Sequence, residues 1–149
     1  MPLGTLPPDH PLYQADLPAY AYDPAEGSRL LDEVGWKDTD GDPTTPRVAA
    51  GVVGVPDGTP LQLTYSASQA DLRAEVAEIA ITSLAECGVG VERDLLNPGD
   101  MYAPGPDGVL FGRKFDLAAF TWQAGSQPGC ALFTSRQIPS AANAWIGTN

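Results

Sequence analysis

The chain is poor in cations, in histidine and in cysteine, and it has no long hydrophobic run. Only 8 Lys and Arg stand against 19 Asp and Glu, a formal net charge of −11 over 149 residues. Extended contact with a phosphate backbone needs clustered Lys and Arg, so nucleic acid is excluded as a partner. The acidity reads as a solvated surface that keeps copies of the chain apart. The single histidine, His10, lies in a Pro-rich segment, a poor place to build a Ser-His-Asp or Cys-His pair. Cys87 and Cys130 belong to no CxxC or Cys/His cluster, which argues against zinc. From their spacing alone, a disulfide and two buried free thiols are both open. No apolar run reaches the roughly 18 residues that a membrane span requires. The opening "MPLGTLPPDHPLY" has neither a charged n-region nor an apolar h-region. It does not read as a secretory signal, and the chain is expected to be either cytosolic or an excised piece.

What is present is globular. Hydrophobic residues make up 43% and charged residues 18%, enough for one domain over residues 1–149, while 16 Gly and 15 Pro imply many loops. Residues 1–22 read as an extended lead-in along the surface. In "YDPAEGSRLLDEVGW" Asp23 caps a helix, Pro24 suits its first position and Glu26 completes a capping box. Gly35 ends that helix, and Leu30, Leu31 and Val34 give it one apolar side. Residues 37–60 form a loop with room for a hairpin. "LQLTY" alternates Leu61, Leu63 and Tyr65 on one face, the period of a half-buried strand. Ser68 and Asp71 offer another cap.

From Asp71 to Cys87, Leu72, Val76, Ile79, Ala80 and Leu84 follow helical spacing, and Gly88 stands where a left-handed cap belongs. "VGVERDLL" follows with Val89, Val91, Arg93 and Leu95 on one side, so strand, helix and strand make a parallel βαβ unit. Residues 97–114 are a long irregular connection of the kind that serves function or interaction. "FDLAAFTW" is continuous and apolar, as in a strand buried on both faces. The tail is loop-rich, with a weak helical stretch near "SAANAW". The fold class is α/β, with a mixed sheet built around the βαβ unit.

Each candidate site has a plain alternative. "DTDGD" puts Asp38, Asp40 and Asp42 at the first, third and fifth places of a calcium loop, but Pro43 replaces the required glycine and Ala49 the bidentate glutamate. It reads as a solvated acidic turn, and no metal site is expected. "GVVGVPDG" lacks the lysine of a phosphate loop. No catalytic set emerges, so no enzyme and no cofactor are expected. Trp122 ends its strand just before the loop "QAGSQPG". Ordinary core packing is one reading of it. The other follows from position, because ligands of open α/β sheets bind beyond the carboxyl ends of parallel strands. Trp122, Gln123, Ala124 and Gly125 would then line a cleft.

The three blocks "YAYDPAEGSRLLDEVGWKDTDGDP", "LQLTYSASQADLRAEVAEIAITSLAECGVGVE" and "RKFDLAAFTW" resemble, in order and spacing, the extracellular solute-binding proteins of ABC importers, in the family of the oligopeptide- and dipeptide-binding proteins. The resemblance implies one lobe of a type II periplasmic-binding-protein fold, in part of a longer two-lobed protein. It implies binding of a peptide or similar polar solute between lobes, delivery to a membrane permease, and a place outside the cytoplasmic membrane, anchored as a lipoprotein. It also tilts the cysteines toward a Cys87–Cys130 disulfide. In peptide-binding members an aspartate after the strand-ending tryptophan receives the ligand's α-ammonium group. Trp122 matches that tryptophan, and Gly125 stands where the aspartate is expected. Loss of that charge removes a charge-assisted bond of about 1.5–3 kcal/mol, which points to sugars, blocked peptides or other polar solutes. Tyr65 and Ser66, on the strand leading to a helix N-terminus, are expected to add hydroxyl or backbone contacts. A sensor or protein-interaction module with residues 97–114 as its contact surface is the alternative, and a hydrolase built on His10 ranks last.

Overall fold

A computed structural model describes residues 6, 8–42, 44–121 and 133–147. Helix α1 spans Pro24–Glu33, strands β1 and β2 are Trp36–Lys37 and Val48–Ala49, and β3 is Gln62–Ser68. Helix α2 (Asp71–Ala85), β4 (Gly90–Leu96), the single turn α3 (Pro98–Met101) and β5 (Leu117–Ala119) complete the main elements.

The expected βαβ unit is present. β3 and β4 pair in parallel from Gln62↔Gly90 to Ser68↔Leu96, and β5 pairs in parallel with the other edge of β3 from Tyr65↔Leu117 to Ala67↔Ala119. The sheet order is therefore β4-β3-β5. The turn from α2 into β4 works because Gly88 adopts φ +74°, a left-handed conformation that side chains disfavour. β1 and β2 form a separate antiparallel pair, the hairpin that residues 37–60 had room for.

Helix α2 turns a different face inward from the one its large residues suggested. Ala77 is fully buried under the sheet with Tyr65 and Ala67, and Ala80 packs against them. Leu72, Val76 and Ile79 point outward, at 70%, 42% and 67% exposure. Asp71, Glu75, Glu78 and Thr82 mark one polar stripe and apolar residues flank it on both sides, so spacing alone fits either apolar side. The alanine side lets the backbone approach the sheet closely.

Several local expectations are corrected. Asp23 caps α1 by accepting the Glu26 N–H at 3.0 Å, but the Glu26 carboxylate pairs with Arg29 instead of closing a capping box. No residue of α1 is buried, and Leu30 and Val34 are exposed. α2 begins after Ala70, which supplies no side-chain cap, because Ser68 is still paired within β3. β5 is limited to Leu117–Ala119, all half-buried, and Phe120 is already 40% exposed. The tail's helical stretch is one 3₁₀ turn, Ala141–Asn143, capped reciprocally by Ser140 and Asn143.

Arg47 ties the hairpin to the sheet. Its side chain is 7% exposed, and its guanidinium donates to the carbonyls of Cys87 (2.8 Å) and Trp36 (3.1 Å) and to Asp32 Oδ1 (3.0 Å). Its backbone also bonds on both sides, to Gly88 O and from Leu61 N. Cys87 is a free thiol whose sulfur donates to Pro24 O at 3.5 Å and fills the space beside Gly27. The bond expected between Cys87 and Cys130 is thus not made by Cys87, whose sulfur is turned to α1. Cys130 lies outside the described residues.

Candidate functional site

In open parallel sheets ligands bind beyond the carboxyl ends of the strands. The carboxyl edge of this sheet gathers the ends of β3, β4 and β5 and the first turn of α2. Gln69 N–H bonds Leu96 O at 2.8 Å, which closes the β3–β4 end. Asn97 caps α3 by accepting the Asp100 N–H at 3.0 Å. Beyond β5, Phe120 and Thr121 lie at the surface.

Arg73 stands at this edge and was missed by sequence reading. It occupies the first turn of α2, where the helix dipole disfavours a cation, and Thr121 Oγ1 accepts its guanidinium at 2.9 Å. A cation placed against the dipole was the available signal. The uncapped N-terminus of α2 adds backbone N–H groups on the same side.

The expected cleft residues divide. Trp122, Gln123, Ala124 and Gly125 lie outside the described residues; the chain enters them directly from Thr121. Tyr65 and Ser66 are described, and both are buried. Strand alternation turns Tyr65 beneath α2 into the core with Ala77. Ser66 faces the other way, on a strand that α3 contacts, and is 0% exposed with its hydroxyl unpartnered. Their side chains meet the interior, because the alternation that leads the strand to its edge continues two residues beyond them.

The remaining candidates resolve as plain structure. Asp38, Asp40 and Asp42 spend carboxylate oxygens on N–H groups of their own loop, at 2.8–3.2 Å. Backbone and Thr45 donors hold Asp40 below the usual carboxylate range, and Thr44 does the same for Asp42. Among the described residues no group of three or more His, Cys, Asp and Glu side chains could hold a metal. His10 Nδ1 accepts the Leu12 N–H at 3.1 Å. In the 97–114 connection Met101, Leu110 and Phe111 are buried, while Tyr102 is exposed. Tyr22, at the end of the lead-in, reaches Ser83 O at 3.5 Å. Partial desolvation, followed by the nearby Glu86 carboxylate, raises its pKa.

Residues 3–143 match the bacterial extracellular solute-binding proteins, family 5 (middle). The chain belongs to that family. It is a family of binding proteins, and no helix among the described residues is long and apolar enough to cross a membrane. Among solved structures, NikA from Brucella suis in complex with Fe(III)-EDTA is similar at 26% identity and a TM-score of 0.68, over 95% of this chain and 26% of that one. A periplasmic oligopeptide-binding protein from Thermotoga maritima, bound to mannohexaose, is 25% identical with a TM-score of 0.52, over 70% of this chain and 17% of its own. The oligopeptide-binding protein of Thermus thermophilus, complexed with a pentapeptide, shares the fold at a TM-score of 0.69 and 17% identity, over 86% of this chain and 21% of its own. The family 5 chain thus spans about a quarter of NikA's length. No curated protein sequence matches it.

Proposed function

We infer that residues 1–149, with 1–22 as lead-in, form part of one lobe of a two-lobed solute-binding protein that serves an ABC importer. The carboxyl edge of β4-β3-β5 is its half of the ligand cleft. The observation that carries this reading is the convergence of three parallel strand ends, the α2 N-terminus and Arg73 on the segment that leads into Trp122. Trp122 stacks on the ligand, and Gln123, Ala124 and Gly125 contribute backbone contacts. Tyr65 and Ser66 support the edge from within.

The cargo is a polar solute without a free ammonium group. Gly125 offers no carboxylate, and Arg73 adds positive charge at the same edge, both unfavourable to a peptide N-terminus. The protein works outside the cytoplasmic membrane, anchored as a lipoprotein, and hands its ligand to a permease by lobe closure. The test is thermal shift on the complete two-lobed protein with free peptides, N-acetylated peptides, oligosaccharides and nickel chelates, and with the 149-residue chain in parallel. Stabilisation of the two-lobed protein alone by acetylated peptides or oligosaccharides is expected. Equal stabilisation by free peptides would overturn the cargo class, and an equal response of this chain alone would overturn the shared cleft.

The exposed Leu72, Val76 and Ile79 stripe of α2 favours a second reading as a contact module. Its contact surface would then be α2 and not the 97–114 connection.

A further inference from the structure

A second concavity lies on the segment that enters β5, whereas the proposed cleft lies on the segment that leaves it. Pro106, Phe111, Arg113, Ile138, Pro139 and Trp145 line a hollow of about 560 Å³. That volume lies within the usual range for small-molecule sites. Its walls are apolar and aromatic, and its charged member is Arg113.

Three observations make this hollow unlike the surrounding surface. The first is the state of Arg113. In a chain of net charge −11, its guanidinium has no hydrogen bond or ion pair among the described residues. The neighbouring cation, Lys114, is by contrast held at the Asp107 carbonyl (3.0 Å) and carboxylate (3.9 Å). Arg29, Lys37, Arg47, Arg73 and Arg93 all have partners too. Arg136 is the other cation whose side chain has none among the described residues, and it does not line the hollow.

The second is the backbone. Arg113, Ala144 and Trp145 have φ of 59°, 55° and 60°, and they are the non-glycine residues with positive φ among those described. Two line the hollow and the third precedes Trp145. Bulky residues adopt this conformation only where the surroundings enforce it, and such positions cluster at binding sites.

The third is how the walls are joined. Gly105 N–H donates to Trp145 O at 3.0 Å, and a Cβ on Gly105 would lie 2.9 Å from Phe111 O and 3.2 Å from Trp145 Cβ. The two distant segments that form the hollow are therefore held at fixed separation.

We propose that this hollow binds a small aromatic monocarboxylate, with the Arg113 guanidinium receiving the carboxylate and the Trp145 and Phe111 side receiving the ring. The planar guanidinium fork matches a carboxylate with two parallel bonds. One cation balances one negative charge, and a phosphate dianion would leave an excess charge within an acidic protein. The inference does not depend on the transport reading.

Phenylacetate is the probe, and its neutral twin phenylacetamide and ringless acetate are the comparisons. The ¹H–¹⁵N spectrum of the 149-residue chain follows the Trp145 indole N–H and the Arg113 Nε–H during titration. Phenylacetate is expected to shift both signals saturably. Arg113→Gln, phenylacetamide and acetate are each expected to weaken binding at least fivefold, while Arg136→Gln leaves it unchanged. A thermal melt of Arg113→Gln matching the parent shows that the loss is local. Absence of a saturable shift, equal binding of phenylacetamide or acetate, or the same loss in both arginine variants would overturn the proposal.

Discussion

Replacing Arg47 with alanine should cost more than any single surface change, and the structure sets the amount. The substitution strips the charged donor from the carbonyls of Cys87 and Trp36, which it meets at 2.8 and 3.1 Å. Hydrogen bonds to a charged group contribute about 1.5–3 kcal/mol each, and carbonyls left unpaired bear the desolvation cost. Asp32 contributes less, because its side chain is 46% exposed and water replaces the lost partner. A total of about 3–6 kcal/mol follows, a large part of the roughly 5–15 kcal/mol that holds a domain together. With a urea slope near 2 kcal/mol per molar, the midpoint should fall by about 1.5–3 M. Equilibrium unfolding followed by far-UV circular dichroism measures it. Arg47→Lys should recover only part, since one ammonium cannot reach three acceptors set around a planar fork. A midpoint shift below about 0.5 M at unchanged slope would refute the idea that Arg47 couples the hairpin to the α2–β4 turn.

Gly88→Ala should destabilise more than Gly41→Ala. Both glycines have φ near +74°, but a Cβ at Gly88 would lie 2.8 Å from Arg47 Cγ, whereas one at Gly41 meets nothing. Backbone strain of about 1–2 kcal/mol is common to both, and urea midpoints should separate the added clash. Ile79→Lys should raise the solubility of the chain while leaving its melting temperature within about 2 °C, because that side chain faces outward; a collapse in stability would show that the helix face is assigned wrongly. Glu26 bonds chiefly to Arg29, which lowers its pKa. Its contribution is therefore present above the ordinary glutamate pKa and is lost as pH falls through the lowered folded value, and a carboxyl-carbon NMR titration should show that depression disappear in Arg29→Gln.

The order β3–α2–β4 was legible because period-two alternation, a long helical stretch and a glycine at its end are all local signals. The inward face of α2 was not. Leu72, Val76 and Ile79 keep helical spacing as well as Ala77 and Ala80 do, and only the nearby sheet decides which set is buried. Likewise, nothing local marks Arg47 as buried, since its acceptors lie 11 and 40 positions away. At the candidate site, the parallel direction of β5 beside β3 could be read from pattern. Tyr65 and Ser66 lie within β3, yet which of its residues reach the edge depends on where pairing stops, at Ser68 and Leu96.

The seat of the Cys87 sulfur has a kinetic meaning. With α1 docked, the thiol is half-buried and occupies the space that any side chain at Gly27 would claim. An alkylating reagent therefore gains full access chiefly when the helix lifts away, and the labelling rate at Cys87 measures how often it does so. The chain carries its own clock for one local motion.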